Sequence, residues 1–411
     1  MRRLPRLPGI LLILVLLGNL FSQKGGTSAE ELENREAANQ NFVYLPLVLN
    51  NYQTPPPAPI PGFVIGSTPF RFVGGFVPGW HWGQEWWNQA TDTDLIRTAR
   101  EHGLTVLDIM LPQFEKQRGV YDESELAKLD SFLNTASTHN MYVMIEFIHG
   151  LDIGTQTDNP YYHPHGIEGL INDPQLAQAF NHRIEALVNR RNTLNQRIYR
   201  DDPTILGWIL VNEPISAPWN YPGGPPNVTP AQLNTWLATV GTFVKSLDPN
   251  HLVTVAATPA IDTLGQNWLS AFDVPPLDFI YAEDADLRIL NYFDPNAAAD
   301  FPLKLFLLNK PVVMMLSFTS GAWDRESICH NYEWQADVLG KAIHRYFEAG
   351  ETGVTVFMWG SDLYPSVPAF DECFNYTASN LPVSQALQQA AGWINPMNNP
   401  NPPLQFVSIR R

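Results

Sequence analysis

The stretch TILGWILVNEP places a carboxylate directly after a strongly apolar run. Residues 205–211 have the length and composition of a buried strand, and Asn212, Glu213 and Pro214 follow at once. A glutamate at the mouth of a buried strand is suitably placed for general acid or base chemistry. Such chemistry usually needs a second carboxylate. Glu213 is therefore the first candidate catalytic residue, and its partner has to be found elsewhere in the chain.

Short β-rich runs alternate with amphipathic helical patterns between residues 63 and 395. The candidate strands are residues 70–74, 105–109, 142–147, 205–211, 252–256, 279–283, 312–316 and 354–359. Helical patterns occupy residues 91–102, 124–139, 175–199, 229–247 and 332–349. This alternation predicts an α/β fold, a single (β/α)8 TIM barrel. A doubly wound open sheet is the alternative, but FVGGFVPG after the first strand does not fit a glycine-rich phosphate loop.

The active site of a (β/α)8 barrel lies at the C-terminal ends of its strands. Further candidate site residues lie at the ends of the predicted strands or beyond them: Glu146, Glu283, Ser317, Trp359, Trp80, Trp82 and Trp219. Flat tryptophan faces stack on the apolar faces of sugar rings, and nearby polar groups can then bind the hydroxyls. The pattern favours a glycan cleft, although part of GWHWGQEWW is expected to pack against the first helix.

The charge and the N-terminal pattern limit the ligand and the compartment. A formal net charge of −16 argues against nucleic acid and anionic membrane surfaces as partners and fits a neutral ligand. Residues 1–29 have the pattern of a signal peptide, with arginines before an apolar run. We expect a secreted or extracytoplasmic monomer, at the cell surface or free, with no stable membrane insertion after cleavage. Residues 30–62 are expected to be a flexible segment and proline-rich linker, residues 63–395 the barrel and residues 396–411 a tail.

The cysteines and histidines give weaker signals. Cys329 and Cys373 could form a disulfide in an oxidising compartment, and two buried thiols are the alternative. The histidines His149, His163 and His165 are only weak candidates for metal ligands. Two of them stand in the short sequence HPH of a predicted loop, and a zinc site needs a third ligand that is held rigidly. We therefore expect no metal and no cofactor.

The domain resembles glycoside hydrolase family 5, in the clan of retaining (β/α)8 glycosidases, and most closely its β-mannanase-like branch. DDPTILGWILVNEP resembles the family's fourth strand, VKSLDPNHLVTVAA its fifth, NKPVVMMLSF its seventh and EAGETGVTVFMWG its eighth. The resemblance spans residues 65 to 360. It implies that Glu213 is the acid/base, that Asn212 positions the substrate's 2-hydroxyl, and that the substrate is a β-linked polysaccharide such as mannan or glucan.

The resemblance also shows where this chain departs from the family. A retaining enzyme needs a nucleophilic glutamate at the end of strand seven, about 5–5.5 Å from the acid/base. Leu316 or Ser317 stands there, and no Asp or Glu occurs between residues 311 and 323. Asp108 replaces the family's arginine on strand two, and Glu283 replaces its histidine on strand six. The nucleophile is therefore missing from its expected place.

Two interpretations stay open. In one, the barrel is catalytically inactive and binds carbohydrate. In the other, Glu213 donates the proton while Glu283, Asp284 or Glu146 activates a water, an inverting arrangement with about 6.5–9.5 Å between carboxyl groups. Strands four and six are expected to face each other across part of the barrel mouth. Asp108 would pair with a cation, for which Arg288 is a candidate. The leading expectation is a hydrolase with Glu213 as general acid/base, and Glu283 is the first candidate for the second catalytic carboxylate, with a polar rim residue or a sugar-binding contact as the alternative role.

Overall fold

The computed structural model describes residues 61–77, 89–111, 114–115, 117–148, 166–214, 228–257, 268–285, 308–317, 331–363, 376–394 and 404–410. These residues include eleven strands and seven α-helices. The strands are β1 (Gly62–Ile65), β2 (Thr68–Phe70), β3 (Phe72–Val77), β4 (Val106–Met110), β5 (Tyr142–Glu146), β6 (Ile205–Asn212), β7 (Leu252–Ala257), β8 (Ile280–Ala285), β9 (Val312–Ser317), β10 (Gly353–Phe357) and β11 (Val407–Arg410). The helices are α1 (Gln89–Glu101), α2 (Glu123–Thr138), α3 (Gly166–Asn172), α4 (Pro174–Val188), α5 (Pro230–Leu247), α6 (Tyr332–Ala349) and α7 (Leu381–Ile394).

Strands β3 to β10 close into a barrel in which every strand pair is parallel, and β10 joins β3. Each residue of β6 is buried, as expected of a parallel strand covered on both faces. Helices follow most of the strands, so the prediction of a (β/α)8 barrel is confirmed. None of the helices in the described ranges has both the length and the apolar character of a membrane span.

Local sequence signals set the helix ends. Asp122 caps α2 by accepting hydrogen bonds from the backbone N–H groups of Ser124 and Glu125. Thr229 and Gln232 form a reciprocal capping box at the start of α5. Helix α6 ends at Ala349 and is capped by Gly350, whose φ of 108° suits a residue without a Cβ atom. The helical layer is therefore positioned by short-range chemistry as well as by packing.

A small antiparallel sheet, in the order β11-β1-β2, lies against the N-terminal ends of the barrel strands. The Phe63 ring lies 5.3 Å from that of Phe279, and the Phe70 ring lies 5.3 Å from that of Tyr142. The Tyr142 hydroxyl also donates to the carbonyl of Gln405 at 3.1 Å. The site must therefore be sought at the opposite, C-terminal end.

Strand β11 lies in the stretch that the sequence analysis describes as a tail. Ile409 pairs with Phe63 of β1, and Val407 is buried. The pairing partners lie at the two ends of the domain, so no local pattern indicates that they meet. The compact structure accordingly extends beyond residue 395.

Two adjacent glycines show which face of β3 lines the barrel interior. A Cβ atom on Gly74 would lie 3.0 Å from Cγ2 of Thr355 on β10, whereas one on Gly75 would lie 2.6 Å from Cβ of Trp359. Side chains alternate along a strand. Positions 72, 74 and 76 therefore share the interior face, and position 75 faces the helices.

Candidate active site

A buried hydrogen-bonded cluster occupies the middle of the barrel. The Tyr281 hydroxyl on β8 donates to Oδ2 of Asp108 on β4 at 2.8 Å and lies 2.9 Å from Oγ1 of Thr355. Burial raises the pKa of Asp108 to about 8, although the hydrogen bond from Tyr281 opposes the rise. Asp108 has a phenol as its partner rather than the cation expected from the sequence; Arg288, the suggested cation, lies outside the described residues.

Glu283 lies two residues beyond Tyr281 on β8. Because the Tyr281 hydroxyl reaches Asp108 on the opposite side of the barrel, position 281 faces the interior, and position 283 shares that face. Glu283 is 7% exposed and is in register with Met315 of β9. Its carboxyl group is therefore placed at the C-terminal mouth, above the Asp108–Tyr281 pair. Asp284 also lies in β8, in register with Leu316.

Glu146 and Asn212 bind each other at the ends of neighbouring strands. Nδ2 of Asn212 donates to Oε1 of Glu146 at 2.6 Å, and both side chains are buried. Burial and the charge of Asp108 are the main causes that raise the pKa of Tyr281, and the charge of Glu146 adds to them. Glu146 is therefore close to the interior cluster and holds the Asn212 amide at the barrel mouth.

Glu213 follows an irregularity in β6. The pairing of β6 with β7 shifts register between Ile209 and Asn212, so side chains no longer alternate strictly there. The backbone N–H of Glu213 donates to Ala256 of β7 at 2.8 Å, and its φ of 49° lies in the left-handed region. Such a conformation is uncommon for glutamate, and strained backbone is concentrated at functional sites. Glu213 remains partly exposed.

The strand register relates Glu213 to Glu283. Asn212 is level with Ala256 of β7, which in turn is level with Tyr281 of β8. Glu213 stands one residue above this level and Glu283 two residues above it. Only β7 separates their strands, so β6 and β8 do not face each other across the mouth as the sequence analysis supposed. Two interstrand spacings place the two backbones about 10 Å apart.

Strand β9 carries no carboxylate at the position where the family resemblance requires one. It runs from Val312 to Ser317, with Leu316 buried and Ser317 in register with Ala285. The strand therefore ends at the barrel mouth without an acidic residue. The structure describes only the backbone position of Ser317.

An aromatic pair that the sequence analysis did not identify lies at the same mouth. Phe76 and Phe357 stand in register on β3 and β10, and their rings stack with centroids 5.1 Å apart. Each lies two residues beyond an interior position, Gly74 or Thr355, so the pair faces the interior. Alternation along the first and eighth barrel strands is the sequence signal that could have indicated them.

Trp359 lies away from this mouth. Its ring is fully buried, its Nε1–H donates to the carbonyl of Leu95 on α1 at 3.2 Å, and its centroid is 5.8 Å from that of His102. The side chain thus packs between the barrel and α1. A sugar ring cannot stack on a tryptophan in this position, so Trp359 is a packing residue rather than the substrate contact expected from the sequence.

Several expected site residues lie outside the described residues: Trp80, Trp82, Trp219, Cys329, Cys373, His149, His163 and His165. Within the described ranges, no three His, Cys, Asp or Glu side chains come together as a metal site. Among the described residues, the candidates for a catalytic role are therefore Glu213, Glu283 and the Glu146–Asn212 pair.

Residues 161–281 match the family model described as GH family 5 beta-mannosidase-like. The resemblance to glycoside hydrolase family 5 is confirmed. The matched segment contains Asn212 and Glu213 but ends before Glu283 and before β9. The match thus includes Glu213, the residue expected to be the acid/base, and leaves the expected nucleophile position outside it.

Two plant proteins illustrate the relation in sequence. The chain is 29% identical over 153 residues to mannan endo-1,4-beta-mannosidase 8 of Oryza sativa subsp. japonica, covering 33% of this chain and 36% of that protein. It is 27% identical over 208 residues to mannan endo-1,4-beta-mannosidase 1 of Solanum lycopersicum, covering 47% of this chain and 50% of the relative. The chain thus spans between a third and a half of the length of these relatives.

Solved structures extend the likeness to the whole barrel. The endo-1,4-beta-mannanase from Rhizomucor miehei superimposes with a TM-score of 0.62 at 17% identity, covering 82% of this chain and 99% of that one. The endo-beta-1,4-mannanase from Thermotoga petrophila gives a TM-score of 0.59 at 18% identity, covering 81% and 78%. At this level of identity the likeness concerns the fold.

Proposed function

We propose that this protein hydrolyses β-linked mannan, with Glu213 as proton donor and Glu283 as general base. The placement of Glu213 carries the proposal: a partly exposed carboxyl group on strained backbone, directly after a buried strand and at the mouth of the barrel. The matched relatives are named as mannan endo-1,4-beta-mannosidases, which supports mannan as the substrate class.

The positions of the two carboxylates favour an inverting reaction. Glu213 protonates the glycosidic oxygen as the bond to the anomeric carbon breaks, and Glu283 accepts a proton from the water that attacks the opposite face. This reaction needs about 6.5–9.5 Å between the carboxyl groups. Strands β6 and β8, about 10 Å apart at the backbone, can present side chains that converge to this spacing. A covalent intermediate would instead need a nucleophile, and the sequence VVMMLS of β9 supplies no carboxylate.

The neighbouring groups have supporting roles in this proposal. Asn212, held by Glu146, donates to or accepts from the sugar hydroxyl next to the anomeric carbon. Trp80, Trp82 and Trp219 provide stacking surfaces along the sugar chain, and Ser317 lies beside the site as a polar contact. In this proposal Glu146 orients Asn212, because Oε1 of its carboxyl group accepts a hydrogen bond from Nδ2 of Asn212.

A second candidate function is carbohydrate binding without hydrolysis. The specific observation in its favour is the missing carboxylate of β9, because loss of a catalytic nucleophile costs several orders of magnitude in rate. In this case the same mouth would bind the glycan and Glu213 would contact a hydroxyl group.

We also propose that the protein is exported from the cell. The arginines and apolar run within residues 1–29 support export, and a substrate as large as mannan is encountered outside the cell. We propose a secreted or surface-located protein on this basis.

The test is the release of reducing sugar from mannan, glucomannan, cellulose and xylan. We expect turnover on mannan that is lost in both Glu213→Gln and Glu283→Gln, with the anomer of the first product inverted in proton NMR. A retained anomer would exclude Glu283 as the base of an inverting reaction. Background rates for the wild type on every substrate, with measurable binding of mannohexaose, would favour the binding function.

A further inference from the structure

A groove of about 330 Å³ lies between α6 and α7, in the helical layer. Besides alanines of both helices, it is lined by Asp337, Gly340, Lys341, His344, Gln389 and Trp393. None of these residues lies at the end of a barrel strand. Its volume is at the lower end of the range for small-molecule sites, about 300–1,000 Å³. The groove is therefore separate from the site at the barrel mouth.

Trp393 presents a fixed aromatic surface in this groove. It is 49% exposed, although large aromatic side chains are usually well buried. One face of its ring stacks on His344, with centroids 4.3 Å apart and planes 12° from parallel. Nδ1 of His344 lies 3.3 Å from Oε2 of Glu348, one turn further along α6. The indole is thus oriented before any ligand arrives, so that less ordering remains to oppose binding.

Gly340 keeps the groove open. A Cβ atom at this position would meet no heavy atom within 4 Å, and its φ is not in the left-handed region. Neither packing nor backbone conformation therefore requires glycine here. Glycine inside a helix weakens it relative to alanine or leucine. A glycine without a structural reason, in the lining of a groove that holds an exposed tryptophan, indicates that the space itself has a use.

The polar groups of the groove suit a neutral ligand. Nζ of Lys341 and Oδ2 of Asp337 form an ion pair at 2.6 Å, so their charges offset each other locally. Gln389 adds an amide with both a donor and an acceptor. The net charge of −16 disfavours polyanions. A flat aromatic surface beside neutralised hydrogen-bonding groups matches a pyranose ring, which has apolar faces and hydroxyl groups at its edge.

We propose that this groove is a second carbohydrate-binding site, which holds pyranose units of a β-linked mannan chain away from the barrel mouth. The choice of mannan as ligand rests on the proposed function. Binding at a second site retains a long chain at the protein surface while another part of it occupies the mouth, and linked sites bind more tightly than either alone.

The test follows Trp393 directly. In the Glu213→Gln chain labelled with 5-fluorotryptophan, the fluorine resonance of Trp393 is assigned by its loss in Trp393→Phe, and mannohexaose is titrated. We expect this resonance to shift with sugar concentration. Gly340→Leu fills the groove and should weaken the titration about tenfold, comparable to loss of an aromatic stack. Gly392→Leu is the matched control, because it adds the same side chain to α7 at another unpacked position outside the lining.

The outcomes separate this inference from the proposed function. A Trp393 resonance that stays fixed while other tryptophans respond, or equal titrations for the two glycine variants, would overturn the second site. A resonance that responds to protein concentration but not to sugar would identify a contact between two copies and also overturn it. A shift of Trp393 in the Glu213→Gln chain, together with background rates of mannan hydrolysis by the wild type, would leave the second site standing and reject the hydrolase. Circular dichroism melting of each variant confirms that it folds.

Discussion

The hydroxyl of Tyr281 donates a hydrogen bond to Asp108 across the barrel, with 2.8 Å between the two oxygens. Asp108 is fully buried, and Oδ1 of its carboxyl has no hydrogen-bond partner among the described residues. Where the family resemblance implies an arginine, this chain thus holds a carboxyl group whose pKa burial raises to about 8. Burial therefore favours the protonated form of Asp108 in the interior of the barrel.

The first prediction concerns the pH dependence of stability. The folded chain keeps the Asp108 proton up to about pH 8, whereas the unfolded chain loses it near pH 4. Between these values the folded state binds more protons, so its free energy of unfolding falls as the pH rises. Asp108→Asn has no ionisable group at this position, so this fall in the free energy of unfolding does not occur in the variant. Its stability relative to wild type should rise by up to roughly 1.4 kcal/mol per pH unit from pH 4 to 8, measured by urea unfolding. A difference independent of pH would contradict this.

The second prediction has the opposite sign and serves as its control. Burial opposes ionisation of Asp130, but hydrogen bonds from Arg190, Tyr199 and Thr193 outweigh it and lower the pKa of the carboxyl. The ionised Asp130 therefore stabilises the fold at pH values above the pKa that it has in the unfolded chain. This stabilisation is lost as the pH falls through the pKa of Asp130 in the folded chain. Asp130→Asn should lower the free energy of unfolding by about 1.5–3 kcal/mol at pH 7. The difference should shrink below about pH 4, in the same urea experiment.

The third prediction tests close packing in the barrel wall. A Cβ atom on Gly207 of β6 would lie 2.6 Å from the carbonyl oxygen of Leu252, a backbone atom that cannot move aside cheaply. Gly207→Ala should therefore destabilise the protein by about 1–3 kcal/mol. Gly392→Ala is the matched control: its Cβ meets nothing within 4 Å, and it should be neutral or stabilise α7 by up to about 1 kcal/mol. Equal melting temperatures for the two variants would contradict the packing argument.

The barrel could be predicted from sequence because each of its elements carries a local signal. The buried run of β6 and the capping box of Thr229 are examples of signals that need no tertiary information. The pairing of Phe63 with Ile409 could not be predicted, since it joins segments from opposite ends of the domain. Long-range pairing is decided by tertiary packing, which a window of neighbouring residues does not contain.

The site was predictable where position along a strand decides a residue's role. Glu213 and Glu283 became candidates because each stands at or just after the end of an apolar run, and both lie at the C-terminal ends of barrel strands in the structure. Trp359 was assigned incorrectly because β10 ends at Phe357, so that the alternation of faces no longer applies two residues later. The Glu146–Asn212 bond was missed for a related reason: β6 shifts register before Asn212, so the alternation of faces does not give the direction of this side chain.

The fourth prediction assigns a positioning role to Glu146. Glu146→Ala removes the acceptor that holds Nδ2 of Asn212. If Asn212 binds a sugar hydroxyl in the transition state, kcat/KM on mannohexaose should fall about 10- to 100-fold, with most of the change in kcat. Glu146→Gln keeps an oxygen at this position and should stay within a few-fold of wild type.

A double-variant cycle distinguishes positioning from general loss of structure. Asn212→Ala should give a loss similar to that of Glu146→Ala, and the double variant should lose little more, because both changes remove one hydrogen-bonded unit. If the losses were instead additive, Glu146 and Asn212 would act separately and Glu146 would have to contact the substrate itself. If the non-additive loss also appears in the affinity of the Glu213→Gln chain for mannohexaose, the pair orients the bound sugar as well as the transition state.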